Sequence, residues 1–136
     1  MVRRLVDTKR FAVKMLMGAI AYASGQLAEL EESFRKKLAG LDVVIQWKVA
    51  DINSYTIVKD QKITSEMDAT HDNPTYTITI DDYDTALEMF QGKLEGANAI
   101  QEGKLKVVGD ANAALKQMFI LEDLAEYLGD LTGGSD

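Results

Sequence analysis

The residues best able to do chemistry in this chain are its carboxylates, which occur in adjacent pairs. Asp81-Asp82, Glu31-Glu32 and Glu122-Asp123 each bring two acids together, as general acid-base catalysis requires. Each pair also stands at a predicted helix start or on a polar helix face, where solvated acids are common. His71 precedes Asp72 in a loop without a neighbouring nucleophile, so a turn residue is the simpler interpretation. The acidic pairs therefore do not predict an active site.

Other reactive groups are scarce. The chain has no cysteine and one histidine, which excludes disulfides, thiolate nucleophiles, zinc-thiolate sites and an imidazole cluster. Gly92, Gly96, Gly103 and Gly109 do not have the spacing of a phosphate-binding loop. We therefore predict a protein that is not an enzyme and that needs no metal or cofactor.

The charge balance narrows the choice of partner. A net charge of -7 repels the phosphates of nucleic acids, and we expect no nucleic-acid partner. Lys104, Lys106 and Lys116 form a small basic group that fits either an anionic headgroup or a soluble strand edge. The sequence leaves both readings open.

Flexible apolar side chains are concentrated in the C-terminal half. They are Met89, Phe90, Leu94, Ile100, Met118, Phe119, Ile120 and Leu121. Methionine adapts to varied shapes and is frequent at promiscuous apolar surfaces, although such a set usually forms core. A core and a ligand cavity are both compatible with this pattern.

The N-terminal forty residues have helical periodicity. It predicts a helix over 7–24 and a second over 26–39, separated at Gly25 and closed by Gly40. The apolar run 11–23 imitates a secretory signal, but Lys14 interrupts it and about 13 residues are too few to span a bilayer. We expect this segment to be retained as a packed helix.

After Gly40 the apolar period changes from 3.6 to 2. Val43, Ile45, Trp47 and Val49 alternate with polar or smaller side chains, which predicts a strand with Trp47 on its inward face. Further strands are predicted at 54–58, 62–67, 76–80 and 104–108, and helices at 81–91, 97–101 and 109–128. Connections between the first three strands are too short for parallel crossovers, so they form an antiparallel meander.

The block around the last predicted strand resembles a known family. Its elements are Leu-Glu-Met-Phe-Gln-Gly-Lys at 87–93, the run 97–110 with Gly-Lys-Leu-Lys-Val-Val-Gly-Asp at its end, and Ala-Leu-Lys at 114–116. Together with the threonine and isoleucine strand before it, this block resembles the sterol carrier protein type-two family over about 26–124.

The resemblance implies an α+β fold with a five-stranded, mostly antiparallel sheet, helices packed on one face, and an apolar tunnel between them. It implies non-catalytic binding and transfer of fatty acids, fatty acyl-CoA, sterol-like lipids or phospholipids. On this basis we divide the chain into an additional N-terminal helix (1–25), a lipid-binding domain (26–129) and a flexible tail (130–136). The chain ends Gly-Ser-Asp and lacks the Ser-Lys-Leu peroxisomal signal of some relatives, and we expect a cytoplasmic protein.

The resemblance also suggests the binding residues. We predict that eight apolar side chains line the lipid cavity: Met89, Phe90, Ile100, Leu105, Val107, Leu115, Met118 and Phe119. The expected partner is an apolar or acyl small molecule, with transient membrane contact and a homodimer through the N-terminal helix left open. The alternative function is a scaffold for an enzyme of lipid or isoprenoid-quinone metabolism.

Overall fold

The computed structural model describes residues 2–116, 120, 123 and 126. The helices are α1 (Val2–Leu30), α2 (Glu32–Lys37), α3 (Tyr83–Phe90), α4 (Gly96–Gln101) and α5 (Ala111–Lys116). The strands are β1 (Val43–Val49), β2 (Ile52–Lys59), β3 (Lys62–Met67), β4 (Tyr76–Ile80) and β5 (Leu105–Gly109). Ile120, Asp123 and Glu126 are also helical, and the remainder of the last predicted helix and the 130–136 tail lie outside the described residues.

The five strands form one sheet in the order β3-β2-β1-β4-β5. All neighbouring pairs are antiparallel except β1 and β4, which are parallel. The sequence therefore predicted the strands and the mostly antiparallel pairing correctly.

The first helix differs from the sequence prediction. The expected break at Gly25 is wrong: α1 runs without interruption for 29 residues, and the chain turns at Glu31 instead. A Cβ atom at residue 25 would stand 3.2 Å from the carbonyl oxygen of Ile63, so this glycine lets the helix approach β3 closely. Gly25 thus serves packing between helix and sheet, and tertiary contacts override its weak helix propensity.

The apolar part of α1 is longer than the run 11–23 predicted from the sequence. The stretch Thr8–Leu30 is 23 residues long and meets the length and composition that a membrane-spanning helix needs. In the structure one side of this helix is packed against the sheet, and Val13, Met17, Ser24 and Ala28 are buried. The packing agrees with the prediction that this segment forms a packed helix.

The two faces of the sheet have different coverings. On the inner face, Ile45 of β1 pairs with Thr56 and Tyr76, and Trp47 pairs with Ser54 and Ile78. This face meets the helices and supplies most of the buried core. The predicted inward register of Trp47 is confirmed.

The outer face is crossed by the 68–74 loop, which carries the chain from the edge strand β3 to β4. The side chain of Gln46, only 1% exposed, anchors this loop. Its amide nitrogen donates to the carbonyl oxygens of Ser54 (3.0 Å) and Ala69 (3.3 Å), and its amide oxygen accepts from the backbone N–H of His71 (2.8 Å). This one side chain therefore fixes the crossing loop to the sheet through three backbone groups.

Candidate functional site

A cavity of about 70 Å³ lies between the inner face of the sheet and the helices. Its wall combines α1, all strands except β5, the end of α3, α5, and Ile120 after α5. The lining residues are Met17, Ile20, Ala21, Ser24, Ile45, Trp47, Ser54, Thr56, Val58, Ile63, Tyr76, Ile78, Phe90, Ala114 and Ile120.

Helix α1 forms the roof of this cavity. Met17, Ile20, Ala21 and Ser24 follow one another at intervals of three, one and three residues, which places them on one side of the helix. The apolar surface of residues 1–24 is too wide for a single contact face, which predicts that this segment either self-associates or forms a lid over the cavity. The eight residues predicted to line the cavity nevertheless include none of these four.

Three exposed ion pairs hold the N-terminal half of the roof. Lys9 Nζ lies 2.9 Å from Asp84, Arg10 Nε lies 2.8 Å from Asp51, and Lys14 Nζ lies 2.8 Å from Asp68. Exposed pairs of this kind contribute little individually because solvent screens them. They therefore add little to the buried apolar contacts of Val13, Met17 and Ala28, which hold the helix on the sheet.

Asp51 is the centre of a small polar cluster at this edge. The Tyr83 hydroxyl donates a hydrogen bond to Asp51, and Arg10 donates a second one. These two bonds lower the pKa of Asp51, with that from Tyr83 the larger cause. The cluster ties α1 and the first residue of α3 to the β1-β2 turn.

The far wall contains an aromatic contact. The rings of Trp47 and Phe90 meet edge to face with centroids 6.3 Å apart. Phe90 is the last residue of α3, whose start is fixed by Asp82, which accepts a 2.8 Å hydrogen bond from the backbone N–H of Thr85. Hydrogen bonds from the Thr85 side chain and backbone lower the pKa of Asp82.

Helix α5 is positioned by Gly109 and Asp110, the last two residues of the run that resembles the family. Gly109 has φ +112°, and a Cβ there would lie 2.7 Å from the Thr75 carbonyl oxygen, so only glycine fits this close crossing of β4. Asp110 then accepts a 3.0 Å hydrogen bond from the backbone N–H of Ala113. The pair thereby directs α5 and Ala114 toward the cavity.

Besides the indole N–H of Trp47, the polar side-chain atoms of the described wall are hydroxyls. Ser24 Oγ donates to the carbonyl oxygen of Ala21 at 2.9 Å, and Ser54 Oγ donates to that of Glu66 at 2.9 Å. Thr56 Oγ1 lies 3.2 Å from Ser65 Oγ. Within the described part of the chain, no charged side chain lines the cavity.

The eight predicted lipid-binding residues have different positions. Phe90 lines the cavity. Met89 and Leu105 are buried in the core, and Ile100 and Val107 pack half-buried against it, but none of these four is in the wall. The side chain of Leu115 and all of Met118 and Phe119 lie outside the described residues. The described cavity thus extends farther toward α1 and β2 than the sequence indicated.

The other candidate groups have structural partners. His71 accepts a 3.0 Å hydrogen bond from the backbone N–H of Asn73 and contacts the Tyr55 ring, as expected for a turn residue. Lys104 pairs with Glu102 at 3.3 Å, and Lys106 pairs with Asp81 at 3.5 Å. Among the residues that the structure describes, no cluster of histidine and carboxylate side chains is arranged to hold a metal ion.

Comparison with known families decides the classification. The model of the SCP-2 sterol transfer family matches residues 25–122. The chain belongs to this family. No curated protein sequence matches the chain. The SCP-2 assignment confirms the resemblance predicted from the sequence and indicates an apolar lipid-binding domain of a generally non-catalytic kind.

Solved structures agree with the SCP-2 fold. A crystal structure of sterol carrier protein 2 has a TM-score of 0.63 at 18% identity, covering 79% of this chain and 95% of the other. Palmitated SCP2L2 from Aedes aegypti has a TM-score of 0.59 at 18% identity, covering 78% and 90%.

The same fold also occurs within a larger enzyme. The sec-alkylsulfatase Pisa1 from Pseudomonas sp. has a TM-score of 0.53 at 19% identity over 65% of this chain. The present chain spans only 14% of the length of that sulfatase. The likeness therefore concerns the fold of one part of the enzyme.

Proposed function

We propose that this protein is a non-catalytic cytoplasmic carrier that binds a lipid in the cavity under α1 and transfers it. The observation that carries the proposal is an apolar cavity between sheet and helices in an SCP-2 family domain. The candidate ligands are fatty acids, fatty acyl-CoA, sterol-like lipids and phospholipids. Burying about 14 methylenes is worth on the order of 11 kcal/mol gross, and ordering costs reduce this considerably.

Loading requires the wall to move. A cavity of about 70 Å³ is smaller than the roughly 300–1,000 Å³ typical of small-molecule sites. The ion pairs of the roof are exposed, and the side chain of Met17 in the cavity wall is flexible. Displacement of α1 would enlarge the cavity into the proposed tunnel without breaking the sheet.

A binding assay on lipid-free protein tests the carrier function. Fluorescent fatty acyl and sterol probes should show saturable uptake in the micromolar range, and unlabelled lipid should displace them. Native mass spectrometry of protein purified from its host should show a bound lipid. The absence of saturable uptake of every probe at high micromolar concentration would reject the carrier.

The second candidate function is a scaffold, and the exposed side of α1 favours it. Phe11, Met15 and Tyr22 are 65%, 58% and 72% exposed and lie on one side of the helix, opposite the cavity. These three residues form the exposed stripe of α1. A scaffold protein would use this stripe to bind an enzyme of lipid or isoprenoid-quinone metabolism. Recovery of one stoichiometric partner with lipid-free protein would support it.

We propose that a second copy of the chain covers this stripe. The helix has Arg3 and Arg4 near its beginning and Glu29, Glu31 and Glu32 at or just after its end. Antiparallel pairing of two α1 helices would place the basic end of each beside the acidic end of the other. Phe11 would then lie near Tyr22 of the second copy, and Met15 near the small residue Gly18.

The charge balance is less favourable to a membrane partner. The net charge of -7 opposes binding to an anionic bilayer, although the apolar stripe permits transient contact with a neutral one. Dimerisation and membrane binding are separated by light scattering without lipid and by co-sedimentation with neutral vesicles.

A further inference from the structure

The 68–74 loop is attached to two different elements of the protein. At its beginning, the Asp68 carboxylate lies 2.8 Å from Lys14 Nζ of the roof helix α1. Farther along, the carbonyl of Ala69 and the backbone N–H of His71 are bound to the buried side chain of Gln46 on β1. The loop is therefore a strap that runs from the roof, past the end of β3, to the outer face of the sheet.

The ring of His71 fixes the middle of this strap. Its Nδ1 atom accepts a 3.0 Å hydrogen bond from the backbone N–H of Asn73. A backbone N–H can only donate, so Nδ1 carries no proton in this arrangement and the ring is neutral. The ring also meets Tyr55 of β2 edge to face, with centroids 5.2 Å apart. The strap is thus folded around the neutral form of the only histidine of the chain.

Protonation of His71 is incompatible with this arrangement. With a proton on Nδ1, two N–H groups face each other, and the bond from Asn73 is replaced by repulsion. Histidine side chains ordinarily titrate between pH 5 and 8, whereas carboxylates and lysines ordinarily keep their charge in this range. The chain has no cysteine, the other side chain that can titrate there. His71 is therefore the side chain through which mild acid acts on the strap.

The groups that face His71 do not favour its protonated form by an ion pair. Tyr55 of β2 offers an aromatic ring, and Gln46 of β1 offers a neutral amide. The charged side chains beside these two in the sheet and beside His71 in the loop are Glu66, Lys48 and Asp72, all exposed. Among the described residues, no carboxylate lies within ion-pair distance of the imidazole. Proton uptake therefore costs the Asn73 bond and forms no ion pair in its place.

We infer that the strap is an acid-sensitive attachment of the roof: protonation of His71 releases the 68–74 loop from the sheet, loosens α1 at Lys14 and speeds exchange of the bound lipid. The inference rests on the proposed carrier function and adds its regulation. Lys14 is held by this loop, whereas Arg10 is held by Asp51 in the β1-β2 turn. Mild acid therefore loosens α1 at one point without detaching it.

Two substitutions of His71 represent the two states of the strap. His71→Asn keeps an acceptor for the backbone N–H two residues later, as in an Asx-turn, and takes up no proton. His71→Lys has a positive charge and no acceptor at the same position. We would load lipid-free protein with a fluorescent sterol, which has no titrating group, and follow its transfer to neutral phosphatidylcholine vesicles at pH 7.5 and 5.5.

The transfer rates should separate the three proteins. Wild type should release the sterol about fivefold faster at pH 5.5 than at pH 7.5, as expected for the loss of one hydrogen bond. His71→Asn should release it slowly at both pH values, and His71→Lys should release it fast at both. Equal wild-type rates at the two pH values, or the same acceleration in His71→Asn, would overturn the inference while the carrier function stands.

Hydrogen exchange tests the strap without any lipid. Protection of backbone amides, corrected for the intrinsic effect of pH, should fall at pH 5.5 in the 68–74 loop and in α1 of the wild type. Asp68→Asn removes the attachment to Lys14, and asparagine suits the positive φ of 55° at this position. In this variant the loop should still respond to pH and α1 should not. Unchanged protection of wild-type α1 would reject the strap, whereas failure of sterol and fatty acyl probes to bind at either pH would reject the carrier function.

Discussion

The indole of Trp47 and the phenyl ring of Phe90 meet edge to face across the cavity wall, with centroids 6.3 Å apart. This contact joins the central strand β1 to the end of α3. Trp47 is the only tryptophan of the chain, so its fluorescence reports on this wall alone.

The first prediction follows from that contact. Trp47 should emit at shorter wavelength in the folded protein than in the unfolded chain, because it is half-buried among apolar residues. Binding of a fatty acyl or sterol ligand should change its intensity in a saturable way. Emission like that of free tryptophan in water would contradict the position, and Phe90→Leu should weaken the ligand response by altering the same wall.

Filling the cavity from its roof should block binding. Ala21 lines the cavity, whereas Ala19 lies on the exposed side of the same helix. We expect Ala21→Trp to reduce probe uptake strongly and to cost about 1–3 kcal/mol of unfolding free energy through overpacking. Ala19→Trp is the matched control and should bind normally. Equal uptake by both variants, measured by titration, would place the ligand elsewhere.

The sequence located the strands well because period-2 alternation and short turns determine an antiparallel meander locally. It placed the break at Gly25 wrongly because glycine often ends a helix, whereas this glycine lies within α1 where the helix closely approaches the Ile63 carbonyl. It also could not foresee that the 68–74 loop would cross the sheet and bury Gln46. Both features depend on contacts between residues distant in sequence.

The sequence likewise indicated one part of the cavity wall and left out another. The apolar surplus near Met89 and Phe90 indicated where helices cover the sheet, and Phe90 is in the wall. The residues of α1 belong to a different segment, and nothing in their spacing states which strand they face. Only the fold brings Met17 and Trp47 into the wall of one cavity.

Gln46 should be among the most important polar residues for stability. Gln46→Leu leaves the backbone N–H of His71 and the carbonyl of Ala69 without this partner, so we expect a loss of about 2–4 kcal/mol. Lys48→Leu on the same side of β1 is exposed and should change stability by less than about 0.5 kcal/mol. Urea unfolding of both variants measures the difference, and similar midpoints would contradict the anchoring role.

The attachment of α1 should depend on pH through Asp51. Its folded-state pKa is lowered by the bonds from Tyr83 and Arg10, so the stabilisation is present above the ordinary value of 3.8 and is lost as the pH falls through the lower folded value. Thermal unfolding of Asp51→Asn should therefore differ from wild type at pH 6 and converge with it below about pH 3.8. Asp42→Asn, at an exposed position before β1, is the control. A difference that is constant from pH 6 to 3 would exclude this linkage.

The exposed stripe of α1 should determine the oligomeric state. An antiparallel pair of α1 helices buries Met15 near its centre, where a charged side chain cannot be accommodated without an opposite partner. Light scattering should therefore show a dimer for the wild type and a monomer for Met15→Asp at the same micromolar concentration. Val108→Asp is the matched control because Val108 is equally apolar and 66% exposed, but on the sheet edge. Salt screens the attraction between the basic and acidic helix ends, so the wild-type dimer should be weaker at about 1 M salt. A wild-type monomer throughout the micromolar range would remove the second copy as the occupant of the stripe and leave the scaffold's partner protein as the alternative.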